Sequence, residues 1–164
     1  MKNVDVLINN VRQWSALPAC LDAIHSQTAR PRWVSVLDDY DGDESEQKLN
    51  LIGQKRQLVP IRLLPGKSVN EKLKLGYAEA LGRCTQIGQP APNLIIATDA
   101  GNVLAQDFIE RALVLHAAEP RVVWAPEKAP GLCLVVSTAN GEINWRKPYR
   151  LRYSPDLKLI SAVQ

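Results

Sequence analysis

An apolar segment that ends in a carboxylate constrains the fold of this chain more than any other feature. Residues 94–98 read Leu-Ile-Ile-Ala-Thr, and Asp99 follows them directly, before a turn over residues 100–102. Such a run is typical of a strand that is buried on both faces of a parallel sheet. Because open α/β sheets bind ligands at the carboxyl ends of their strands, Asp99 is predicted to face a binding crevice.

A second apolar segment also ends in acids. Residues 33–37 read Trp-Val-Ser-Val-Leu and run into Asp38 and Asp39. If both segments belong to one parallel sheet, their acids line the same crevice. The acids at each strand end also have a purely structural interpretation. Asp38 and Asp39 also fit the start of an acidic loop that is exposed to solvent. Asp99 also fits a turn in which its side chain accepts from the amides of residues 101 or 102.

Strand and helix patterns alternate along most of the chain. Apolar residues recur at three- and four-residue spacing in the segments between the strands, which predicts helices there. This alternation is typical of βαβ units, so we predict a single-domain, Rossmann-like α/β fold with a mainly parallel sheet and flanking helices. The predicted strands cover residues 4–9, 33–37, 59–64, 94–99 and 122–125, and the predicted helices residues 15–27, 44–57, 69–84 and 106–118.

The pattern changes after Pro130. Residues 132–138 and 142–145 flank the dipeptide Asn140-Gly141, which favours a tight turn between antiparallel strands. We therefore predict a C-terminal antiparallel hairpin. In this division one domain spans residues 1–164, with a ligand-binding part over residues 1–125 and the hairpin and tail over residues 126–164.

Composition excludes several classes of protein. The chain has 46% hydrophobic and 23% charged residues, which is typical of a globular domain. A net charge of +3 is too small to favour a nucleic-acid partner. Residues 144–153 nevertheless interleave basic and aromatic side chains, which fits either an edge strand or an anion-binding surface. Three widely spaced cysteines argue against a disulfide framework, and no apolar run reaches the roughly 18 residues of a transmembrane helix, so we predict a cytoplasmic protein.

These features together resemble the family 2 glycosyltransferases, whose nucleotide-sugar-binding part has the glycosyltransferase A fold. The resemblance runs from about residue 4 to residue 123. It rests on the first strand and helix (4–28), the strand that ends in Asp38-Asp39, the segments Gly66-Lys67 and Lys74-Leu75-Gly76, and residues 99–110, which are close to the segment that holds the family's Asp-x-Asp motif.

The resemblance implies a role for each candidate residue. A nucleotide-sugar donor, a UDP-sugar, would be bound by Asn9, Asp38, Asp39, Lys67 and Asp99. Asp38 or Asp39 would accept hydrogen bonds from the base imide or the ribose hydroxyls, and Lys67 would neutralise the diphosphate. A divalent metal, manganese or magnesium, would be held by Asp99 and Asn102. The implied reaction is transfer of the sugar to an unknown acceptor with inversion.

The chain departs from the family pattern at the positions that carry metal binding and catalysis. Gly101 stands where the second aspartate of Asp-x-Asp is expected, which predicts weaker metal binding. Lys74 stands where asparagine is usual. No Glu-Asp pair follows residue 102, so Glu127, just past a predicted strand, is the remaining candidate for the general base.

Other classes of function fit the same sequence. One is a non-catalytic binding or structural module on a degenerate glycosyltransferase scaffold. In an active enzyme, a second copy of the chain or a partner protein would complete the acceptor site. A nucleotidyltransferase is disfavoured because residues 9–13 contain no glycine, and a response-regulator receiver because the paired acids follow the second strand. Lys67, Lys72 and Lys74 also fit the exposed side of the third helix and its entry.

Overall fold

The computed structural model describes residues 3–40, 42–140, 143–148 and 150–160. The strands and helices lie close to the predicted segments. In chain order they are β1 (Val4–Asn10), α1 (Leu17–His25), β2 (Trp33–Asp39), α2 (Gly42–Gly53), β3 (Val59–Leu63), α3 (Val69–Gln86), β4 (Leu94–Asp99), β5 (Val103–Leu104), α4 (Phe108–Ala118), β6 (Val123–Pro126), β7 (Cys133–Ser137), β8 (Leu151–Ser154) and β9 (Leu159–Ile160), with a 3₁₀ turn over Thr138–Asn140.

Seven strands form one mixed sheet in the order β3-β2-β1-β4-β7-β6-β8. β1, β2, β3 and β4 are parallel to one another, and β7 is antiparallel to both β4 and β6. β8 pairs with β6 in parallel at the edge of the sheet. The prediction of an α/β fold with a mainly parallel sheet and flanking helices is confirmed.

The two faces of the sheet are covered by different helices. β1 lies between β2 and β4, and all seven of its residues are buried, as its apolar sequence predicts. Val6 and Ile8 belong to the apolar cluster that includes residues of α1 and α4, whereas Leu7 belongs to the cluster that includes α3. Since side chains alternate along a strand, odd-numbered residues of β1 face α3 and even-numbered residues face α1.

The start of α3 is fixed by a capping box. Ser68 accepts a hydrogen bond from the backbone of Glu71 at 3.2 Å, and the Glu71 carboxylate accepts one from the backbone of Ser68 at 2.7 Å. The turn before it uses Gly66, whose φ of +87° suits glycine. These contacts place the first turn of α3 beside the end of β2.

A separate antiparallel pair of strands is present, but it joins other segments than the predicted residues 132–138 and 142–145. Residues 143–148 form no strand, and part of the predicted turn and return strand, Gly141 and Glu142, lies outside the described residues. Trp145 is instead buried over α3, where its backbone N–H donates to the Asn70 side chain at 2.7 Å and its ring meets Tyr77 edge-on at 6.3 Å. An antiparallel pair does occur near the C-terminal end, but β9 forms it with β5.

All three cysteines are buried and free, consistent with the absence of a disulfide framework. Among the residues described, no helix has both the length and the apolar character needed to cross a bilayer.

Candidate functional site

The register of the sheet brings the predicted acids to one edge. Asn10 at the end of β1 pairs with Asp38 of β2, and Asn9 pairs with Asp99 of β4. β1 therefore separates the two acidic strand ends, which lie two strand spacings apart, or about 10 Å. We call this edge, where β1, β2 and β4 end, the carboxyl edge.

The acids divide between the two faces at this edge. Asp39 and Asp99 follow the residues of β2 and β4 that pack toward α3, namely Leu37 and Ala97. Asp38 follows Val36 on the opposite face, which carries α1, α2 and α4. The three carboxylates lie at one edge of the sheet, but only Asp39 shares a face with Asp99. Asp38 lies on the opposite face, so the predicted convergence of Asp38 and Asp99 on one side of the sheet is not observed.

Asp99 is held by neutral donors on both oxygens. Its Oδ1 accepts from the Asn9 side chain at 2.9 Å, and its Oδ2 accepts from the backbone N–H of Leu132 at 2.8 Å. The backbone N–H of Asp99 donates to the Leu132 carbonyl at 2.8 Å. The carboxylate therefore ties the end of β4 to β1 and to the loop that precedes β7. The alternative in which Asp99 accepts from the amides of residues 101 or 102 through its side chain is not what is observed.

The charge of Asp99 contributes to the raised pKa of two buried thiols, Cys20 and Cys133. The pKa of Cys20 is raised to about 12, chiefly by burial and secondly by Asp99. The pKa of Cys133 is also raised to about 12, mainly by burial, with Asp99 among the further causes. Both thiols therefore stay protonated at neutral pH.

Asp38 is a buried carboxylate with weak support. Its Oδ1 accepts from the Asn10 side chain at a long 3.4 Å, and the Ser45 hydroxyl donates a further hydrogen bond to the group. Burial raises the pKa of Asp38 above its usual range, and these hydrogen bonds oppose the shift. A neighbouring donor from a ligand would stabilise its ionised form.

Asp39 forms an ion pair with Lys72 of α3. The Nζ of Lys72 lies 2.7 Å from Asp39 Oδ2, and the Lys72 side chain is only 5% exposed. The suggestion that Lys72 lies on the exposed side of α3 is wrong. The sequence contains an indication that Lys72 is buried. Lys72, Gly76, Ala80 and Cys84 follow one another at four-residue spacing, so they lie on one face of α3, and all four are buried.

Several oxygen acceptors at the carboxyl edge lack a donor. All of them are buried side-chain oxygens, and none has a hydrogen-bond partner within the described part of the chain. Buried polar atoms are nearly always paired, and an unpaired one costs about 1–3 kcal/mol, so a group of them at one edge calls for an explanation. They are Asn9 Oδ1, Asn10 Oδ1, Asp38 Oδ2, Asp39 Oδ1 and Asn102 Oδ1.

Lys67 lies in the loop that leads into α3. Its charge acts on Glu71 of the capping box, whose pKa is lowered first by the hydrogen bonds with Ser68 and also by Lys67. The loop joins the end of β3 to α3, at the carboxyl edge and beside Asp39. This position agrees with a cation at the margin of the crevice.

Glu127 lies in a groove that also reaches the turn after Asp99. The groove has a volume of about 670 Å³, and both Glu127 and Lys128 line it from the segment after β6. The turn contributes Gly101 and Asn102, and β9 closes another side. Glu127 is exposed. Because both residues line this groove, the predicted base Glu127 and the predicted metal ligand Asn102 share one site.

The side-chain oxygens near Asp99 are too few to hold a divalent metal without further ligands. Asp99 already accepts on both oxygens, and Gly101 has no side chain to add. The amide nitrogen of Asn102 donates to Thr98 at 3.1 Å and to the Leu132 carbonyl at 2.7 Å, which leaves one amide oxygen. Hard cations prefer several anionic oxygens, and the described residues contain no group of three or more His, Cys, Asp or Glu arranged for a metal. The metal stays a prediction.

Comparison with known proteins adds evidence on the fold. No family model matches the chain, and no curated protein matches it. A solved structure of S. aureus TarS is similar with a TM-score of 0.55 and 13% identity, covering 80% of this chain and 23% of that chain. S. aureus TarS 1–349 in complex with UDP gives a TM-score of 0.58 and 13% identity over 80% of this chain and 39% of that chain. The chain spans well under half of these structures, and the likeness shows that it shares their α/β fold.

Proposed function

We propose that this chain binds a nucleotide sugar, specifically a UDP-sugar, across the carboxyl edge of its sheet. The observation that carries the proposal is the set of buried acceptor oxygens without donors at the ends of β1 and β2 and in the turn after β4. A ligand that satisfies them must bring several N–H and O–H donors. A uridine nucleotide has an imide N–H and two ribose hydroxyls, and a sugar adds further hydroxyls.

The placement of the acids suggests how such a ligand lies. Asp39 offers one unpaired oxygen on the face of the sheet that also carries Asn9 and Asp99, where it would accept from the base or the ribose. Asp38 offers one unpaired oxygen on the other face of the same edge. The diphosphate would then extend past Asn9 toward the turn after Asp99. Lys67 on one side and Lys128 on the other are the cations that would neutralise it.

The comparisons agree with this proposal. One of the solved structures similar in fold, S. aureus TarS 1–349, was determined with UDP bound. At 13% identity that ligand is a property of TarS, and its extension to this chain is part of the proposal.

Calorimetric titration tests donor binding. Uridine, UDP and UDP-glucose are titrated into the whole chain, with and without manganese. Asp38→Asn and Asp39→Asn are each expected to weaken UDP binding about tenfold or more, because each removes a charged hydrogen-bond acceptor. Asp107→Asn is the matched control, since Asp107 is a partly exposed carboxylate paired with Arg111 on α4. If the wild type binds neither uridine nor UDP under any condition, the proposal fails.

Transfer of the sugar is the finer proposal. Glu127 would deprotonate the acceptor hydroxyl from its groove, and the transfer would proceed with inversion. Hydrolysis of UDP-glucose, with water as acceptor, measures this step. Glu127→Gln is expected to abolish hydrolysis while leaving UDP affinity unchanged. Completion of the acceptor site by a second copy or a partner protein, and a cytoplasmic location, stay predictions.

A non-catalytic binding module is the second candidate. It is favoured by the way Asp99 is used, because both of its oxygens tie together β1, β4 and the loop before β7. In this function the chain would bind the nucleotide and hydrolyse no UDP-sugar, with or without manganese. The titration and the hydrolysis assay together separate the two functions.

A further inference from the structure

A second groove lies at the opposite edge of the sheet, where β2 and β3 begin. It has a volume of about 770 Å³ and lies between the ends of α1 and α2 and the starts of these strands. β2 runs from Trp33 at this groove to Asp39 at the carboxyl edge. At about 3.3 Å per residue, the two sites are some 20 Å apart. We call this second site the basic groove; its lining includes His25, Arg30, Arg32, Trp33, Lys55 and Arg56.

The charges of the basic groove are strongly unequal. Among the described residues of its lining, four side chains are permanent cations and one is a carboxylate. This local excess of three positive charges equals the net charge of +3 of the entire chain. The cations are Arg30, Arg32, Lys55 and Arg56, and the carboxylate is Asp22.

Two of the four cations are already neutralised. Arg32 donates to both oxygens of the buried Asp5 at 3.1 Å and to the Pro90 carbonyl at 2.8 Å. Arg56 donates to both oxygens of Asp22 at 2.7 and 2.9 Å. His25 shares a hydrogen bond of 2.7 Å with a carbonyl oxygen, so its Nε2 acts as the donor. These pairs fix the wall of the groove and leave its net positive charge to the remaining two cations.

The other two cations have no such partner. Arg30 and Lys55 are exposed, and neither side chain has an ion pair or hydrogen bond among the residues that the structure describes. They come from different segments, Arg30 from the connection between α1 and β2 and Lys55 from the turn that follows α2. Two unpaired cations therefore line one concave site.

The indole of Trp33 lies beside these cations but packs toward the other face of the sheet. Its ring is fixed in place by Arg83 of α3, whose guanidinium carbon lies 5.4 Å from the ring centre and whose nitrogens donate to Ser35. The indole Nε1 is buried and has no hydrogen-bond acceptor among the described residues, as is also true of Trp124. Trp33 belongs to the lining of the basic groove, so it serves as a spectroscopic reporter next to the two cations and not as a donor to the ligand.

We propose that the basic groove binds a phosphate-bearing anion. The Arg30 and Lys55 side chains are cationic donors without acceptors in the described part of the chain, and a phosphate group offers three or more acceptor oxygens with negative charge. The carboxyl edge has the opposite character, since the unpaired buried atoms described there are oxygen acceptors. The two proposed sites thus lie at the two ends of β2. The carboxyl edge needs hydrogen-bond donors from its ligand, and the basic groove needs acceptors.

Pyrophosphate titration monitored by the tryptophan indole N–H signals tests this site. The chain has four tryptophans, and a Trp33→Phe variant assigns the signal of Trp33. Inorganic pyrophosphate at constant ionic strength is expected to shift the Trp33 signal saturably. Arg30→Gln and Lys55→Gln should each weaken the apparent affinity about tenfold, because each removes a charge-assisted hydrogen bond.

Arg121→Gln is the matched control. Arg121 is an exposed arginine just before β6, at the same edge of the sheet but four strands away from β2. Its substitution removes one positive charge and is expected to leave pyrophosphate binding unchanged. Equal losses in Arg121→Gln and Arg30→Gln would overturn the proposal, because they would indicate a general charge effect.

Vesicles separate the two sources of the anion. Sedimentation with phosphatidylglycerol vesicles, and with phosphatidylcholine vesicles as reference, is measured for wild type and for Arg30→Gln. Binding of pyrophosphate alone indicates a free phosphorylated ligand, and Arg30-dependent binding of phosphatidylglycerol indicates a lipid headgroup. If neither probe binds, the proposal is wrong. Since Arg30→Gln should not change uridine binding, failure here is distinct from failure of the nucleotide-sugar proposal.

Discussion

Substitution of Gly131 by alanine is expected to disturb the end of β4 through a single methyl group. Gly131 lies directly against the side chain of Asp99. A Cβ at Gly131 would overlap Asp99 Oδ2 and would lie 3.2 Å from its Cγ and 3.4 Å from its Cβ. The carboxylate must therefore rotate away, or the loop before β7 must move.

Either response breaks identified contacts. Rotation of Asp99 removes its Oδ2 from the Leu132 N–H, now at 2.8 Å, and its Oδ1 from the Asn9 amide, now at 2.9 Å. Loss of one hydrogen bond to a charged group costs about 1.5–3 kcal/mol, and overpacking costs about 1–3 kcal/mol. We expect Gly131→Ala to lower the free energy of unfolding by about 2–4 kcal/mol, with a fall in Tm of about 5–10 °C for a chain of this size.

Urea denaturation at neutral pH measures this loss, and Gly82→Ala is the control. Gly82 lies in α3 and is exposed, and a Cβ added to it would meet no other atom within 4 Å. Alanine there should raise the free energy of unfolding by about 0.5–1 kcal/mol, because it removes the cost of a helical glycine. If Gly131→Ala proves as stable as the wild type, the tight contact between this loop and Asp99 is wrong.

Two further predictions concern buried carboxylates. Asp5→Ala leaves Arg32, whose side chain is 16% exposed, without its partner. Urea denaturation should therefore show a fall of about 3–5 kcal/mol in the free energy of unfolding. Asp22→Ala, which removes one member of an exposed pair, should show a much smaller fall. Because burial raises the pKa of Asp38 in the folded state, the free energy of unfolding should fall as pH rises from the ordinary aspartate range through the raised pKa. Asp38→Asn should lack this fall and be more stable than wild type at neutral pH, and parallel profiles for the two proteins would contradict the assignment.

The sequence predicted the sheet well because its strands are buried on both faces. Continuous apolar runs such as residues 94–98 require a central parallel strand, and acids that end such runs must emerge at the carboxyl edge. The order of elements and the shared edge of Asp38, Asp39 and Asp99 followed from that logic. Which face each acid occupies follows from strand register, and neither composition nor motif specifies that register.

The C-terminal region was harder to predict because long-range contacts decide it. Asn140-Gly141 is a strong local turn signal, but Trp145 gains more by burial against Tyr77 and by its backbone hydrogen bond to Asn70. In the same way, the loop that contacts Asp99 carries no local signal, because Gly131 and Leu132 act on a residue more than thirty positions earlier. Local pattern cannot specify contacts of that range.

The unpaired buried oxygens of the carboxyl edge support the proposed site where the sequence motif is weak. The Asp-x-Asp signal is incomplete at Gly101, yet the neighbouring buried oxygens of Asn9, Asp39 and Asn102 still lack donors among the described residues. If this edge had only a structural role, those oxygens would be expected to pair within the protein, as both oxygens of Asp99 do. Their unpaired state therefore favours a ligand rich in hydroxyl and N–H groups. The corresponding argument for donors, the unpaired side chains of Arg30 and Lys55 in one groove, favours an anion at the other end of β2.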